Sequence, residues 1–266
     1  MHNDLFISSS SNEKFKLLFE LQQAKKRKKH DLFLLEGMKE MEMAMESSVE
    51  LFSIYYQQDI VDLNKITWLK QNNPNTYFYQ IDKSLYSKVC YRDSTEGIIA
   101  IAKTKNLKLE DLKLSKNPLI LIVESVEKPG NLGAILRTAD AANIDAVICC
   151  ELQTDLYNPN IIRSSLGTVF TVPVVVSDNQ STMAWLKSKG IITFCTNLHQ
   201  AANYHELDFK ESIAIVVGSE ANGVSDDWIK FADKNIKIPM LGKIDSMNVS
   251  VASAILLFEA KRQRGF

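Results

Sequence analysis

The sequence predicts an α/β protein: a carboxyl-terminal domain built on a parallel sheet, preceded by a smaller α/β domain. Three observations carry this. After Pro118, short Val/Ile-rich runs alternate with amphipathic helical patterns, the texture of a parallel sheet covered on both faces. Before residue 104, strand-like and helix-like runs also alternate, over a stretch sized for one small domain. Between them, KTKNLKLEDLKLSKNP (103 to 118) is lysine-rich and aperiodic, so it reads as a linker. The expected boundaries are 1–104, a linker at 105–117, and 118–266. With 266 residues, 45% apolar and 24% charged, there is enough apolar side chain to fill sizeable cores.

Taken in order, residues 12 to 29 predict one helix with Phe15, Leu18, Phe19 and Gln22 along a face. DLFLLEG (31 to 37) reads as a strand stopped by glycine, followed by a Met-rich helix over 39–46 whose methionines suit a core. LFSIYY, TYFYQI and GIIAIAK predict further strands. In the second domain, LILIVE, DAVICCE, VPVVV, GIITFCT, SIAIVVG and NIKIP are the strands. Helices are expected over 130–142, over 158–167 with Pro159 placed to start it, and over STMAWLKSKG, ended by Gly190. A last helix follows NIKIP, with Val249, Ala252, Ile255 and Leu256 as its stripe and Gly265 as its stop.

No apolar run approaches ~18 residues, so no membrane helix is expected. The first residues lack the basic start and apolar stretch of a secretion signal. Cys90, Cys149, Cys150 and Cys195 form no CxxC pair and read as free thiols in a reducing cytoplasm; no metal site is expected. A net charge of −1 argues against a protein that coats nucleic acid non-specifically. The cluster Lys25, Lys26, Arg27, Lys28, Lys29 is either a solvated helix end or a local basic patch.

Three strand-end loops concentrate polar groups. ESVEKPGNLGAILRTADAAN (124 to 143) enters a helix whose stripe is Leu132, Ile135, Leu136 and Ala139; Asn131 stands at the start, where it could cap, and Arg137 lies off the stripe. That is either a cap with a surface arginine or a phosphate or ribose site. IAIVVGSEANGVSDDW (213 to 228) runs through Gly218, Glu220 and Gly223 to Ser225, which can cap the next helix. IPMLGKIDSMNVSVASAILLFEAKRQRG (238 to 265) crowds Ser246, Asn248, Ser250 and Ser253 at a helix start, more than capping needs.

In that order and spacing, NLGAILRTA, VVGSEANGVS and IPMLGKIDSMNVSVASAILLFE resemble the three motifs of the SpoU (TrmH) family of RNA ribose 2′-O-methyltransferases, over roughly 118–264. IIRSSLG, with Arg163, Ser164 and Gly167, resembles a further family segment. The amino-terminal stretch is similar to the ribosomal-protein-like substrate-binding domain that many members carry, through Asn12, Arg27, Phe33, Glu36 and Gly37. The resemblance implies a deep trefoil knot in the sheet domain (SPOUT), which rules of chain connectivity argue against. It also implies a homodimer, S-adenosylmethionine as cofactor, and a bent cofactor held mainly by backbone groups of the second and third motifs. Carried over, Gly218, Ile238 and Met247 line that pocket, with Thr196 at its edge; Met247 stands where the family usually has leucine. Arg137 becomes the catalytic residue, either a general base or a group that orients the 2′-hydroxyl and phosphate. The base role is chemically demanding, because arginine ordinarily stays protonated. Asn131, Glu220, Ser246 and Asn248 would position RNA and arginine, and Lys25, Lys26, Arg27 and Lys28 would contact RNA. Ribosomal RNA is favoured as substrate. Transfer RNA, or a knotted RNA-binding protein without catalysis, are the alternatives. A dinucleotide-binding enzyme would want GxGxxG after the first strand, where only GNLG stands.

Overall fold

A computed structural model describes residues 4–91, 96–198, 201–219 and 222–266. Glu220 lies outside the described residues. The chain divides into two compact units: residues 1–105 with 156–170, and residues 106–155 with 171–266.

The first unit runs β1 (Leu5–Ile7), α1 (Glu13–Glu20), α2 (Ala24–His30), β2 (Leu32–Glu36), α3 (Met38–Glu46), β3 (Leu51–Tyr56), α4 (Leu63–Asn72), β4 (Tyr77–Ile81), α5 (Lys83–Val89) and β5 (Ile98–Lys103). Its sheet has the order β1-β4-β3-β5-β2, with β5 antiparallel to both β3 and β2. Phe15, Leu18, Tyr55, Tyr79 and Ile101 share one core on this sheet. The Met-rich helix packs as expected, with Met38, Met41 and Ala44 buried.

The single helix expected over 12–29 is two. Asn12 caps α1, its Oδ1 accepting the Lys14 amide at 2.9 Å. α1 ends at Glu20, and α2 restarts after Gln23. Arg27 explains the break: it is only 3% exposed, and its Nη1 donates to the carbonyls of Leu21 and Gln22, both at 2.8 Å. The guanidinium thus satisfies carbonyls that the end of α1 leaves open. This corrects the expectation that Arg27 belongs to an exposed RNA-contacting face. Lys26 donates to Glu20 at 2.8 Å, while Lys25 and Lys28 are exposed. Arg27→Met is expected to destabilise the first unit by about 2–4 kcal/mol, since buried carbonyls lose a charged donor. Lys25→Ala should change stability by less than about 0.5 kcal/mol. Urea unfolding followed by circular dichroism separates the two.

The second unit carries β6 (Leu119–Glu124), α6 (Pro129–Ala141), β7 (Ala146–Cys150), β8 (Val174–Ser177), α9 (Asn179–Lys189), β9 (Ile192–Thr196), β10 (Ala202–Asn203), β11 (Ile213–Val217), α10 (Asp226–Phe231), β12 (Lys234–Lys237) and α11 (Val249–Arg264); α7 (Pro159–Ser164) and α8 (Thr168–Thr171) lie between β7 and β8 in the chain. Its sheet is parallel in the order β10-β12-β9-β11-β6-β7-β8. β6, β7 and β11 are buried along their whole length, which is why their sequences are continuous apolar runs rather than alternating ones. Gly190 ends α9 in the left-handed conformation, φ +64°.

The aperiodic stretch before Pro118 is not a free linker. Leu107 bridges to Val175, Leu109 is buried in a short 3-10 turn, and Leu107, Leu112 and Leu114 pack on the second unit's core. Conversely, residues 156–170 cluster with the first unit. Phe33 stacks on Tyr157 at a 4.3 Å centroid distance and on Phe170 at 5.7 Å. Gly167, at φ +86°, sits where a Cβ would come 2.8 Å from the Met43 sulfur.

Candidate functional site

In a parallel sheet the carboxyl ends of all strands lie along one edge, where ligands bind. The loops after β6, β9, β11 and β12 open there. α6 forms because Pro129 pre-sets its first turn and a four-residue apolar stripe faces the sheet: Leu132, Ile135, Leu136 and Ala139 are fully buried. That burial contributes about 1.5–3 kcal/mol for each of the larger side chains. Lys128 holds the cap position, so Asn131 is inside the first turn rather than the cap expected from the sequence. Asn131 Oδ1 instead accepts from Asn248 Nδ2 at 3.1 Å, 117 residues later. The first and third loops therefore meet.

Asn248 is the cap of α11. Its Oδ1 accepts the Ser250 amide at 2.9 Å and the Ser250 hydroxyl at 2.5 Å. Ser253 is buried and its hydroxyl donates back to the Val249 carbonyl at 2.7 Å, a packing role. Ser246 is exposed in the loop before the helix, its hydroxyl 3.4 Å from Asp245 Oδ1. Ile238 and Met247 are half-buried. Among the described residues, 240–247 make no backbone–backbone hydrogen bond, so their amides and carbonyls are available to solvent or a ligand.

The second loop is tight. Ser219 and Gly223 exchange two backbone hydrogen bonds of 3.0 Å, and the Asn222 amide donates to Ser219 Oγ at 3.1 Å. A Cβ on Gly218 would lie 2.0 Å from the Gly223 oxygen and 2.4 Å from the Val224 nitrogen. Only glycine fits there. Thr196, at the end of β9, donates from Oγ1 to the Val216 carbonyl at 3.0 Å, beside the start of that loop. Arg137 is exposed on α6, and among the described residues no hydrogen bond or ion pair ties it to Asn131, Asn248 or Ser246. Six residues separate it from Asn131, about 9 Å along the axis.

The reading of the sequence missed Glu124. It ends β6, is 4% exposed, and its two oxygens accept from Asn179 Nδ2 at 2.6 Å and from the Ser225 amide at 2.7 Å. Asn179 Oδ1 in turn accepts from Trp228 Nε1 at 2.8 Å. Ser225 heads α10 as expected, but its hydroxyl makes no capping bond and, among the described residues, has no hydrogen-bond partner; Glu124 satisfies its amide instead. The signal was present: a carboxylate closing the apolar run LILIVE must find donors if it stays charged. Burial also pushes the Cys150 and Cys195 thiols up to about 12, with Glu124 adding to the rise. Glu124→Ala is expected to cost about 2–4 kcal/mol, because the Ser225 amide and the Asn179 side chain lose a buried charged acceptor. Urea denaturation with tryptophan fluorescence, which reports on Trp228, measures it.

Loops from three strand ends, one closed on itself and two joined side chain to side chain, define an α/β protein with a candidate ligand site beyond the carboxyl edge of its sheet. Residues 118–258 match the SpoU rRNA Methylase family, and residues 12–100 match the MRM3-like substrate binding domain. The chain belongs to the SpoU rRNA Methylase family. It is 31% identical to the 23S rRNA (guanosine(2553)-2′-O)-methyltransferase RlmP of Bacillus subtilis, over 96% of this chain and 98% of that one. It is 32% identical to the 23S rRNA (guanosine-2′-O-)-methyltransferase RlmB of Neisseria meningitidis, over 82% and 89%. A crystal structure of an RNA 2′-O ribose methyltransferase superposes with a TM-score of 0.82 at 34% identity, covering 98% and 99%. That of an AdoMet-bound rRNA methyltransferase from Sinorhizobium meliloti shares the fold, with a TM-score of 0.91 at 24% identity and 98% of both chains covered.

Proposed function

We propose that this protein is an RNA methyltransferase that moves a methyl group from S-adenosylmethionine to a ribose 2′-hydroxyl of ribosomal RNA. The observation that carries the reading is the Asn131–Asn248 contact, which joins the first and third loops of a SpoU family member at the carboxyl edge of the sheet. The relatives named as 23S rRNA 2′-O-methyltransferases support ribosomal RNA as the substrate class.

S-adenosylmethionine, when bound, supplies a methyl group on a positively charged sulfur. The residues present suit it. The loop 240–247 offers unbonded backbone groups, and the close approach of Gly218 to Gly223 shapes the neighbouring turn. In this reading Gly218, Ile238 and Met247 line the pocket and Thr196 holds its edge. As the 2′-oxygen gains its bond to carbon it must lose its proton, so charge develops at the oxygen. Arg137 orients the 2′-hydroxyl and the adjacent phosphate and stabilises that charge. Asn131, Asn248, Ser246 and Glu220 position the RNA around it. Lys25 and Lys28 contact RNA phosphates from the first unit, and that unit, residues 1–104 in the sequence-based division, serves as the substrate-binding domain.

The reading includes a trefoil knot, a homodimer and a cytoplasmic location. The order β12-β9-β11-β6 supports the knot, because the chain leaving β12 must pass the ends of β9 and β11 before Asn248 reaches Asn131. Val251 and Phe258 on α11, 49% and 40% exposed, support a dimer face. Among the described residues no helix is long and apolar enough to cross a membrane.

The test is to incubate the protein with labelled S-adenosylmethionine and total RNA from cells that lack it, then to map 2′-O-methyl positions. Label is expected at a small set of riboses in ribosomal RNA. Label confined to transfer RNA, or none despite bound cofactor, overturns the reading.

A further inference from the structure

A cavity of about 500 Å³ opens within the first unit, and none of its lining residues comes from the three loops. Its size suits a nucleobase with its ribose. Two guanidinium groups, Arg27 and Arg163, line it together with three carboxylates, Glu36, Glu40 and Glu96. The negative excess disfavours a phosphate inside. Most of these charges are already engaged. Arg27 holds the carbonyls of Leu21 and Gln22. Glu96 pairs with Lys65. Glu36 accepts the Tyr91 amide on both oxygens, at 3.0 and 3.1 Å. Glu40 differs: it is half-buried, and no hydrogen bond or ion pair joins it to another described residue. Its Oε2 stands 2.9 Å from where a Cβ on Gly37 would lie, so glycine there gives the carboxylate room. Tyr91, 50% exposed, has the Arg163 guanidinium 5.8 Å from its ring centroid.

A carboxylate accepts two hydrogen bonds side by side and donates none. Guanine is the RNA base with two adjacent donors, N1–H and the 2-amino group, on its Watson–Crick edge. Adenine and cytosine set one donor beside an acceptor, and uracil sets one donor between two acceptors. We infer that this cavity takes an unpaired guanine base of the RNA, with Glu40 accepting from N1–H and the 2-amino group and the Tyr91–Arg163 pair stacking on the base. Exposed Lys25 and Lys28, on the helix that also carries Arg27, meet the phosphates on either side. The inference rests on the RNA-methyltransferase reading and adds a base-reading site to it.

The experiment is equilibrium binding of the full chain to single-stranded uridine hexamers that carry one guanosine, one inosine or one adenosine. The guanosine oligomer should bind about tenfold more tightly than the inosine one, which lacks the 2-amino group, and than the adenosine one. Glu40→Gln should bring guanosine down to the level of inosine while leaving the melting temperature and S-adenosylmethionine binding unchanged. Tyr91→Leu should weaken all three oligomers. Equal affinities with the natural chain, absence of binding to all three, or a preference that survives Glu40→Gln overturns the guanine site. Methyl transfer to ribosomal RNA, assayed in parallel, decides the enzymatic reading separately.

Discussion

Arg137→Ala is expected to lower methyl transfer by at least about 100-fold, the scale for losing one donor at developing charge. Cofactor binding, measured by calorimetry, should be unchanged. The structure separates these readouts: Arg137 is exposed on α6, and the α6 stripe that packs on the sheet does not include it. Its removal opens no cavity, so stability should move by less than about 0.5 kcal/mol. Transfer at close to the natural rate would sink the catalytic role, and lost cofactor binding would point to a structural one. Arg137→Lys refines the assignment. Lysine keeps the charge but not the planar fork, so a group that grips hydroxyl and phosphate together stays impaired.

Gly218→Ala is expected to be the most damaging single-methyl change in the second unit, costing about 3–5 kcal/mol and abolishing S-adenosylmethionine binding. The added carbon would meet backbone atoms at 2.0 to 2.4 Å, and no side-chain rotation can relieve backbone. Relief would have to open the paired hydrogen bonds between Ser219 and Gly223. Two other glycines serve as controls. Gly223 has open space for a Cβ but φ +65°, so alanine there costs about 1 kcal/mol through conformation alone. Gly130 has open space inside a helix and should be neutral or slightly stabilising. Denaturant unfolding of the three variants would show whether the order holds; a Gly218→Ala chain as stable as Gly130→Ala would refute the close-packing argument.

Much of the fold was legible because buried strands and amphipathic helices leave strong periodic marks. LILIVE, VICC and IAIVV are strands, and α6 carries the stripe that was read from its spacing. α11 buries Val249 and Leu256 of its expected stripe, but Ser253, Leu257 and Ala260 complete the buried face while Ala252 and Ile255 are only half-buried. The failures have local physical causes. Nothing in LFELQQAKKRKK announces a break, because neither glycine nor proline makes it; a buried arginine reaching back to two carbonyls does. The leucines of NLKLEDLKL looked aperiodic because they follow an irregular path over a core rather than a helix or strand face. β1, α4 and α5 were missed: one strand is three residues long, and the helices bury only two or three side chains each. In the site, the pairing of Asn131 with Asn248 is a contact across 117 residues that no local pattern encodes. Glu124 was visible as a letter, but its two donors, Asn179 and the Ser225 amide, lie 55 and 101 residues further along the chain.

The stretch 156–170 has a consequence for how such proteins can diversify. It falls inside the span that matches the methylase family, yet its Tyr157 and Phe170 stack on Phe33 of the amino-terminal unit. The two halves are therefore not cassettes that recombination can exchange at a single junction near residue 105. A chimera that imports a foreign amino-terminal half would strand these two rings without their partner. Successful shuffling between relatives must carry this insert along with the half it serves, so the two segments should be inherited as one unit.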